Sequence, residues 1–142
     1  MSKKFEVLDH TADIGLEFSA GTIEELFEIA AIGMFSIITD PGSTSTTEKI
    51  RIELSSSAHD LLLVEWLNEL LYISETKKLF FSKFNIECKS STDGVNIVSI
   101  CEGEKISTIK HRFLTEIKTA TYHQLFIKQS ESGWKGRVIF DI

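Results

Sequence analysis

The sequence predicts an α+β fold in which one domain, residues 1–142, combines mostly antiparallel sheet with two main helices packed on one face. The 142 residues, 42% of them hydrophobic, suffice for one core but not for two packed domains. Two stretches carry apolar residues at helical spacing, whereas most of the remainder alternates apolar and polar residues. Two helices are too few to cross over between so many parallel strands, so we expect antiparallel pairing.

The first elements are two short strands, at 5–8 and 14–18, separated by a polar break. A first helix is predicted from Thr22 to Ile38. Thr22 can cap it, and Glu25 can complete a capping box three residues later. The strand–strand–helix order therefore accounts for the first quarter of the chain.

A polar tract at 40–47, which contains the only proline, is predicted to be a loop. A second helix is predicted from Ala58 to Ser74, opened by Ser57 and Asp60. Its apolar residues form one broad stripe that packs on the core. The polar positions expected to face away from that core are Glu65, Asn68 and Glu69.

The other segments alternate at period two and are predicted to be strands. One strand surrounds 50–54, and a hairpin spans 83–102 with Asp93-Gly94 at its turn. Two further strands, at 122–128 and 134–142, are joined by a turn, so the chain ends inside its last strand. The second half is thus predicted to be mainly hairpins.

Composition excludes several classes of function. Cys88 and Cys101 lack CxxC spacing, so neither a disulfide framework nor a zinc ribbon is expected, and both thiols should be free. The formal charge of −6 disfavours nucleic-acid binding by this chain alone. No apolar run reaches the ~20 residues of a membrane helix, and the charged start lacks a signal peptide. We therefore expect a soluble, cytoplasmic protein without a membrane partner.

Carboxylates at two strand ends are the clearest chemical signal. Asp9, His10 and Asp13 stand in the polar break, and Asp141 lies beside the terminal carboxylate of Ile142. If the sheet brings Asp13 next to Asp141, these hard oxygens could hold Ca²⁺, Mg²⁺ or Mn²⁺. Alternatively, the acidic residues only form turn hydrogen bonds or aid solubility.

No active site is visible in the local sequence. The histidines show neither HxH nor HExxH spacing, and no nucleotide-binding glycine loop or GxSxG motif is present. Gly103, between two glutamates, is interpreted as an isolated turn glycine. Lys118 precedes a strand, where its ammonium group could contact a phosphate, a carboxylate or a protein partner.

Three motifs in order make the chain resemble the archease family. They are Asp9-His10-Thr11-Ala12-Asp13-Ile14-Gly15, Glu116-Ile117-Lys118-Thr119-Ala120-Thr121-Tyr122-His123, and the terminal strand from Trp134 to Ile142. The resemblance covers essentially the whole chain. Two departures are Asp9, where many members have glutamate, and Thr119, where a small apolar residue is usual.

The resemblance implies an accessory protein without catalytic residues of its own. Archeases activate the GTP- and Mn²⁺-dependent RNA ligase of tRNA splicing by promoting ligase guanylylation and multiple turnover, so RNA is contacted only through the ligase. The family's metal site corresponds to Asp13, Asp141 and Ile142, with Ca²⁺ the expected ion and Mg²⁺ or Mn²⁺ the alternatives. Its functionally required lysine corresponds to Lys118, and Asp9 and His10 are candidate supporting residues.

Two other functions remain open from the residues alone. The first is a stand-alone metal-dependent hydrolase or phosphotransferase that uses Asp9, His10 and Asp13. The second is a chaperone-like interaction module that needs no metal. Turnover by the purified protein distinguishes the first reading, and calorimetric titration with divalent ions distinguishes the second.

Overall fold

The computed structural model describes residues 4–9, 12–40 and 44–142, with Asp9 described by its backbone only. The strands of this part of the chain form two antiparallel sheets, with the orders β1-β2-β7-β6 and β3-β5-β4. The predicted α+β class and antiparallel pairing are therefore confirmed. The elements are β1 (Phe5–Asp9), β2 (Asp13–Ala20), α1 (Ile23–Ile38), β3 (Glu48–Ser56), α2 (His59–Lys77), β4 (Leu79–Ser91), β5 (Gly94–Lys105), β6 (Thr119–Ser130) and β7 (Gly133–Asp141).

The core lies between the helices and the two sheets. Helix α1 packs against β2 and β4, and α2 packs against β6 and β3, so each helix contacts both sheets. Trp66 on α2 is fully buried, and its Nε1–H donates to the Phe27 carbonyl of α1 at 3.1 Å. This bond satisfies the one polar group of a large core side chain and ties the helices together.

The two helix starts differ from each other. Thr22 caps α1 as predicted, because its Oγ1 accepts from the Glu25 amide at 3.1 Å. The Glu25 carboxylate does not close a capping box but accepts from Lys4 Nζ at 3.1 Å. Helix α2 begins at His59, one residue after the predicted Ala58, but its predicted opening by Ser57 and Asp60 was wrong. The N-cap is Ala58, which makes no side-chain cap bond, and Asp60 accepts from the neighbouring Leu61 amide at 2.8 Å.

The β4–β5 hairpin turns at Gly94, whose φ of 137° explains the glycine. The prediction that Gly103 sits in a turn was wrong. Gly103 is buried inside β5, and a Cβ there would lie 2.0 Å from the Phe80 carbonyl oxygen. The register shift of β4 between Phe81 and Lys83 lies at this point, so the close approach of the β4 backbone requires a residue without a side chain.

The remaining predictions concern cysteines and loops. Both cysteines are free, Cys101 in the core and Cys88 partly buried. Within the predicted loop 40–47, residues 44–47 form neither helix nor strand, and 41–43 lie outside the described residues. Neither helix in the described ranges has the length and apolar character needed to cross a membrane.

Candidate metal centre and adjacent lysine

Two aspartates from opposite ends of the sequence meet at one end of the four-stranded sheet. Asp13, the first residue of β2, lies opposite Asp141, the last residue of β7. Thr119, the first residue of β6, lies opposite Asp141 on its other side. Side chains of directly opposed residues project from the same face of a sheet, so the two carboxylates share one face.

The alternation of buried and exposed residues along β2 and β7 shows which face of the sheet carries the two aspartates. In β2, Ile14, Leu16 and Phe18 are buried, and in β7, Val138 and Phe140 are buried. The aspartates have the opposite parity, which directs them away from the core. Asp13 is partly buried and Asp141 exposed, so a solvent ion can reach the pair.

Lys118 immediately precedes β6 at the same sheet end. Its backbone amide donates to the Asp141 carbonyl at 2.8 Å, which fixes the position of its backbone relative to the aspartates. Its side chain is exposed and forms no ion pair with Asp13, Asp141 or any other described residue. The ammonium group is therefore available to a ligand or partner.

The donor set fits a hard divalent cation. Like charges placed directly opposite destabilise a sheet, and no described cation pairs with Asp13 or Asp141. Ile142, which follows Asp141 and is partly buried, could add a backbone oxygen donor beside it. Oxygen-only donors suit Ca²⁺, Mg²⁺ or Mn²⁺ rather than Zn²⁺. In the described part of the chain no cluster of three or more His, Cys, Asp or Glu side chains could hold a metal, so an ion bound here would need backbone oxygens and water as further ligands.

The supporting candidates are only partly visible. The backbone of Asp9 pairs with Ile14 at the end of β1, which places this residue near the same sheet end. The side chain of Asp9 and the whole of His10 lie outside the described residues. Their predicted supporting role stays a prediction.

Asn68 of α2 is a neighbour of this site that sequence reasoning missed. It was expected to face away from the core, but it is partly buried against β6. The Ala120 amide donates to Asn68 Oδ1 at 2.7 Å, and Asn68 Nδ2 donates to the Ala120 carbonyl at 3.1 Å. The helical period places Asn68 beside Glu65 and Glu69 on a polar face, and no local signal shows that a strand edge lies there.

A cleft of about 770 Å³ opens beside Lys118. One wall comes from the end of α2, including Tyr72, and the other from the segment 106–119, including Phe113. The Tyr72 and Phe113 side chains are 63% and 59% exposed, so the cleft has an apolar, solvent-accessible rim.

Segment 106–118 is held to the body of the protein at three places. The Ile106 amide donates to the Lys78 carbonyl at 2.8 Å, and the Leu114 amide donates to the Ile38 carbonyl at 2.9 Å. Thr39 Oγ1 donates to the Arg112 carbonyl at 2.8 Å. The chain therefore reaches Lys118 along a defined path, although this segment has no helix or strand.

A buried acid–histidine pair anchors the same segment. The Ser107 amide donates to His111 Nδ1 at 2.8 Å, so His111 Nε2 carries the ring hydrogen and donates to Glu104 Oε1 at 2.7 Å. Hydrogen bonds from Lys110 and then Ser45 lower the pKa of Glu104 from 4.5 to about 2, and the bond from His111 adds to them. The sequence did not predict this pair, because the spacing of the histidines carries no signal for it.

Comparison with known proteins identifies the same family as the three sequence motifs. The chain matches the family described as "Archease protein family (MTH1598/TM1083)" over residues 5–142. It is 41% identical over 141 residues to "Protein archease" of Methanosarcina mazei, covering 99% of this chain and 97% of the relative. It is 36% identical over 140 residues to "Protein archease" of Methanothermobacter thermautotrophicus, covering 99% of both. The solution structure of Methanobacterium thermoautotrophicum protein 1598 superposes with a TM-score of 0.86 at 35% identity, covering 99% of this chain and 100% of that chain.

Proposed function

Because this chain belongs to the archease protein family, we propose that it is an accessory protein that activates the GTP- and Mn²⁺-dependent RNA ligase of tRNA splicing. It promotes guanylylation of the ligase and lets each ligase molecule act repeatedly. It carries no catalytic residue of its own, and it meets RNA only through the ligase.

The observation that carries this proposal is the meeting of Asp13, Asp141 and the backbone of Lys118 at one sheet end. Asp13 and Asp141, with an oxygen of Ile142, would hold the divalent ion on the exposed face. When bound, the ion supplies concentrated positive charge and open coordination positions for phosphate oxygens. Lys118 extends a second positive charge from the same place, so that both can act on the triphosphate or on an acidic residue of the ligase.

The overall charge supports a protein partner. The chain has 21 acidic and 15 basic residues, with a formal charge of −6. An acidic protein is steered toward the basic surface by which a ligase binds RNA, and it is repelled by RNA itself. The charge thus favours binding to the ligase and disfavours binding to its RNA substrate.

A turnover assay tests the proposal. Ligase at sub-stoichiometric concentration is incubated with GTP, Mn²⁺ and split tRNA halves that carry a 3′-phosphate or 2′,3′-cyclic phosphate and a 5′-hydroxyl. We expect several joined products per ligase with this protein and about one without it. Equal yields in the two reactions would refute the proposal.

A control reaction in the same assay tests whether the protein is instead a metal-dependent hydrolase. Incubation of the tRNA halves with this protein and Mn²⁺, without ligase, should leave the phosphate ends intact. Loss of the phosphate under those conditions would replace the accessory function by a metal-dependent hydrolase.

A further inference from the structure

Asn68 occupies the place of a missing neighbour strand. Strand β6 is an edge of the four-stranded sheet, and its free edge at Ala120 is closed by the Asn68 carboxamide. The carboxamide offers the same carbonyl and N–H pair as a peptide group, so one side chain satisfies both backbone groups of Ala120, as an adjacent strand would. Thr119 Oγ1 also lies 3.1 Å from Asn68 Oδ1.

Lys118, the lysine of the proposed function, lies two residues before this contact. Lys118 is bound through its amide to the Asp141 carbonyl of β7, and Ala120 is bound through both backbone groups to α2. Thr119, between them, lies opposite Asp141. The backbone from Lys118 to Ala120 is therefore tied to two different elements, which restricts the direction in which the Lys118 side chain leaves the sheet.

We propose that Asn68 is a positioning residue that fixes Lys118 relative to the aspartate pair of Asp13 and Asp141. Without Asn68 the backbone of Ala120 loses both of its hydrogen bonds to α2. Between the Leu114 amide and β6 the backbone is then held only by the bond from the Lys118 amide to the Asp141 carbonyl among the described backbone hydrogen bonds outside helices and strands, so the Lys118 side chain can take more directions. This inference rests on the proposed function, because it assigns Asn68 a role in the action of Lys118.

Two substitutions test the two hydrogen bonds between Asn68 and Ala120. Asn68→Asp keeps the acceptor for the Ala120 amide but places a carboxylate oxygen against the Ala120 carbonyl. Asn68→Leu has nearly the same shape and removes both bonds. The control is Ser74→Ala, because Ser74 lies on the same helix, is buried, and donates to a backbone carbonyl outside that helix, that of Leu79 in β4, at 2.6 Å.

The first readout is the rate of ligase guanylylation at saturating concentrations of each variant, measured well below its melting temperature. We expect roughly ten- to a hundredfold loss of stimulation for Asn68→Leu, a loss of the same direction for Asn68→Asp, and none for Ser74→Ala. Wild-type stimulation by Asn68→Leu would refute the inference. A loss by Ser74→Ala equal to that of Asn68→Leu, at equal loss of melting temperature, would also refute it.

The second readout needs no ligase and so separates this inference from the proposed function. Amide hydrogen exchange at Lys118 and Ala120 should be faster in Asn68→Leu than in the wild type, and unchanged in Ser74→Ala. Unchanged exchange at both amides in Asn68→Leu would refute the positioning role. If the wild-type protein fails to stimulate the ligase while amide exchange in Asn68→Leu is faster as expected, the proposed function is refuted. The positioning of the Lys118 backbone by Asn68 is then still supported.

Discussion

Asp13 and Asp141 lie directly opposite each other on neighbouring antiparallel strands, and the Asp141 carbonyl also accepts the amide of Lys118. One residue thus connects the other two by backbone pairing. Because a sheet register is specified along its whole length by the buried face, this arrangement depends on all of β2 and β7 rather than on local turns. Four predictions follow from the site and from the interactions around it.

Asp13→Asn and Asp141→Asn should each weaken binding of Mn²⁺ and Ca²⁺ by more than about tenfold in isothermal titration, since losing even an indirect partner of a metal ligand has effects of that size. The control is Asp93→Asn in the β4–β5 turn, which should bind like the wild type. In EDTA, Asp13→Asn should be as stable as the wild type or more stable by about 0.2–1 kcal/mol, because it removes a like-charge pair. Unchanged metal affinity in both site variants would contradict the assignment.

Lys118→Ala should abolish stimulation of the ligase and leave the free energy of unfolding within about 0.5 kcal/mol of the wild type, because the side chain is exposed and unpaired among the described residues. Lys89→Ala, an exposed lysine on the other sheet, changes the net charge equally and should keep full stimulation. Equal behaviour of the two variants would mean that only net charge matters.

Stability should fall in acid through Glu104. Hydrogen bonds lower its pKa in the folded protein from 4.5 to about 2, so the unfolded chain takes up this proton first as the pH falls. The contribution of Glu104 is therefore complete above about pH 4.5 and is lost between about pH 4.5 and pH 2. Urea midpoints across this range should show a flatter pH dependence for Glu104→Gln than for the wild type or for the exposed Glu87→Gln. A slope in Glu104→Gln as steep as in the wild type would contradict this account.

Gly103→Ala should destabilise the fold by about 2 kcal/mol or more, because the new methyl group would meet the Phe80 carbonyl oxygen at 2.0 Å. Gly21→Ala is the control, since a Cβ at Gly21 meets nothing within 4 Å. Denaturant unfolding of both variants measures the difference. Equal stability of the two alanine variants would show that β4 moves aside without a penalty.

Most of the secondary structure could be predicted because its signals are local. The Thr22 cap, the helical apolar spacing of α1 and the Asp93-Gly94 turn each depend on residues a few positions apart. The predictions that failed concern residues whose environment is set by distant parts of the chain. Gly103 was assigned to a turn because a glycine between two glutamates looks the same in a turn and in a crowded strand, and only the neighbouring Phe80 backbone distinguishes them.

The candidate site divides in the same way. Asp13 and Asp141 could be named because they stand at the ends of predicted strands, and Lys118 because it lies in a motif that resembles the archease family. Asn68 could not, because its partner Ala120 is 52 positions away and the helix period alone places it on a solvent-facing side. His111 and Glu104 were missed as a pair for a related reason, since only the return of segment 106–118 to the core buries them together.

The sequence by itself determined the fold class, the order of strands and helices and the residue types available for a hard cation, because these follow from periodicity and from side-chain chemistry. Only the tertiary structure decided that the first residue of β2 and the last residue of β7 are register partners, and that α2 closes the edge of β6 through Asn68. Pairing between distant strands is selected by the burial of whole faces at once, and no single segment of the chain contains that information.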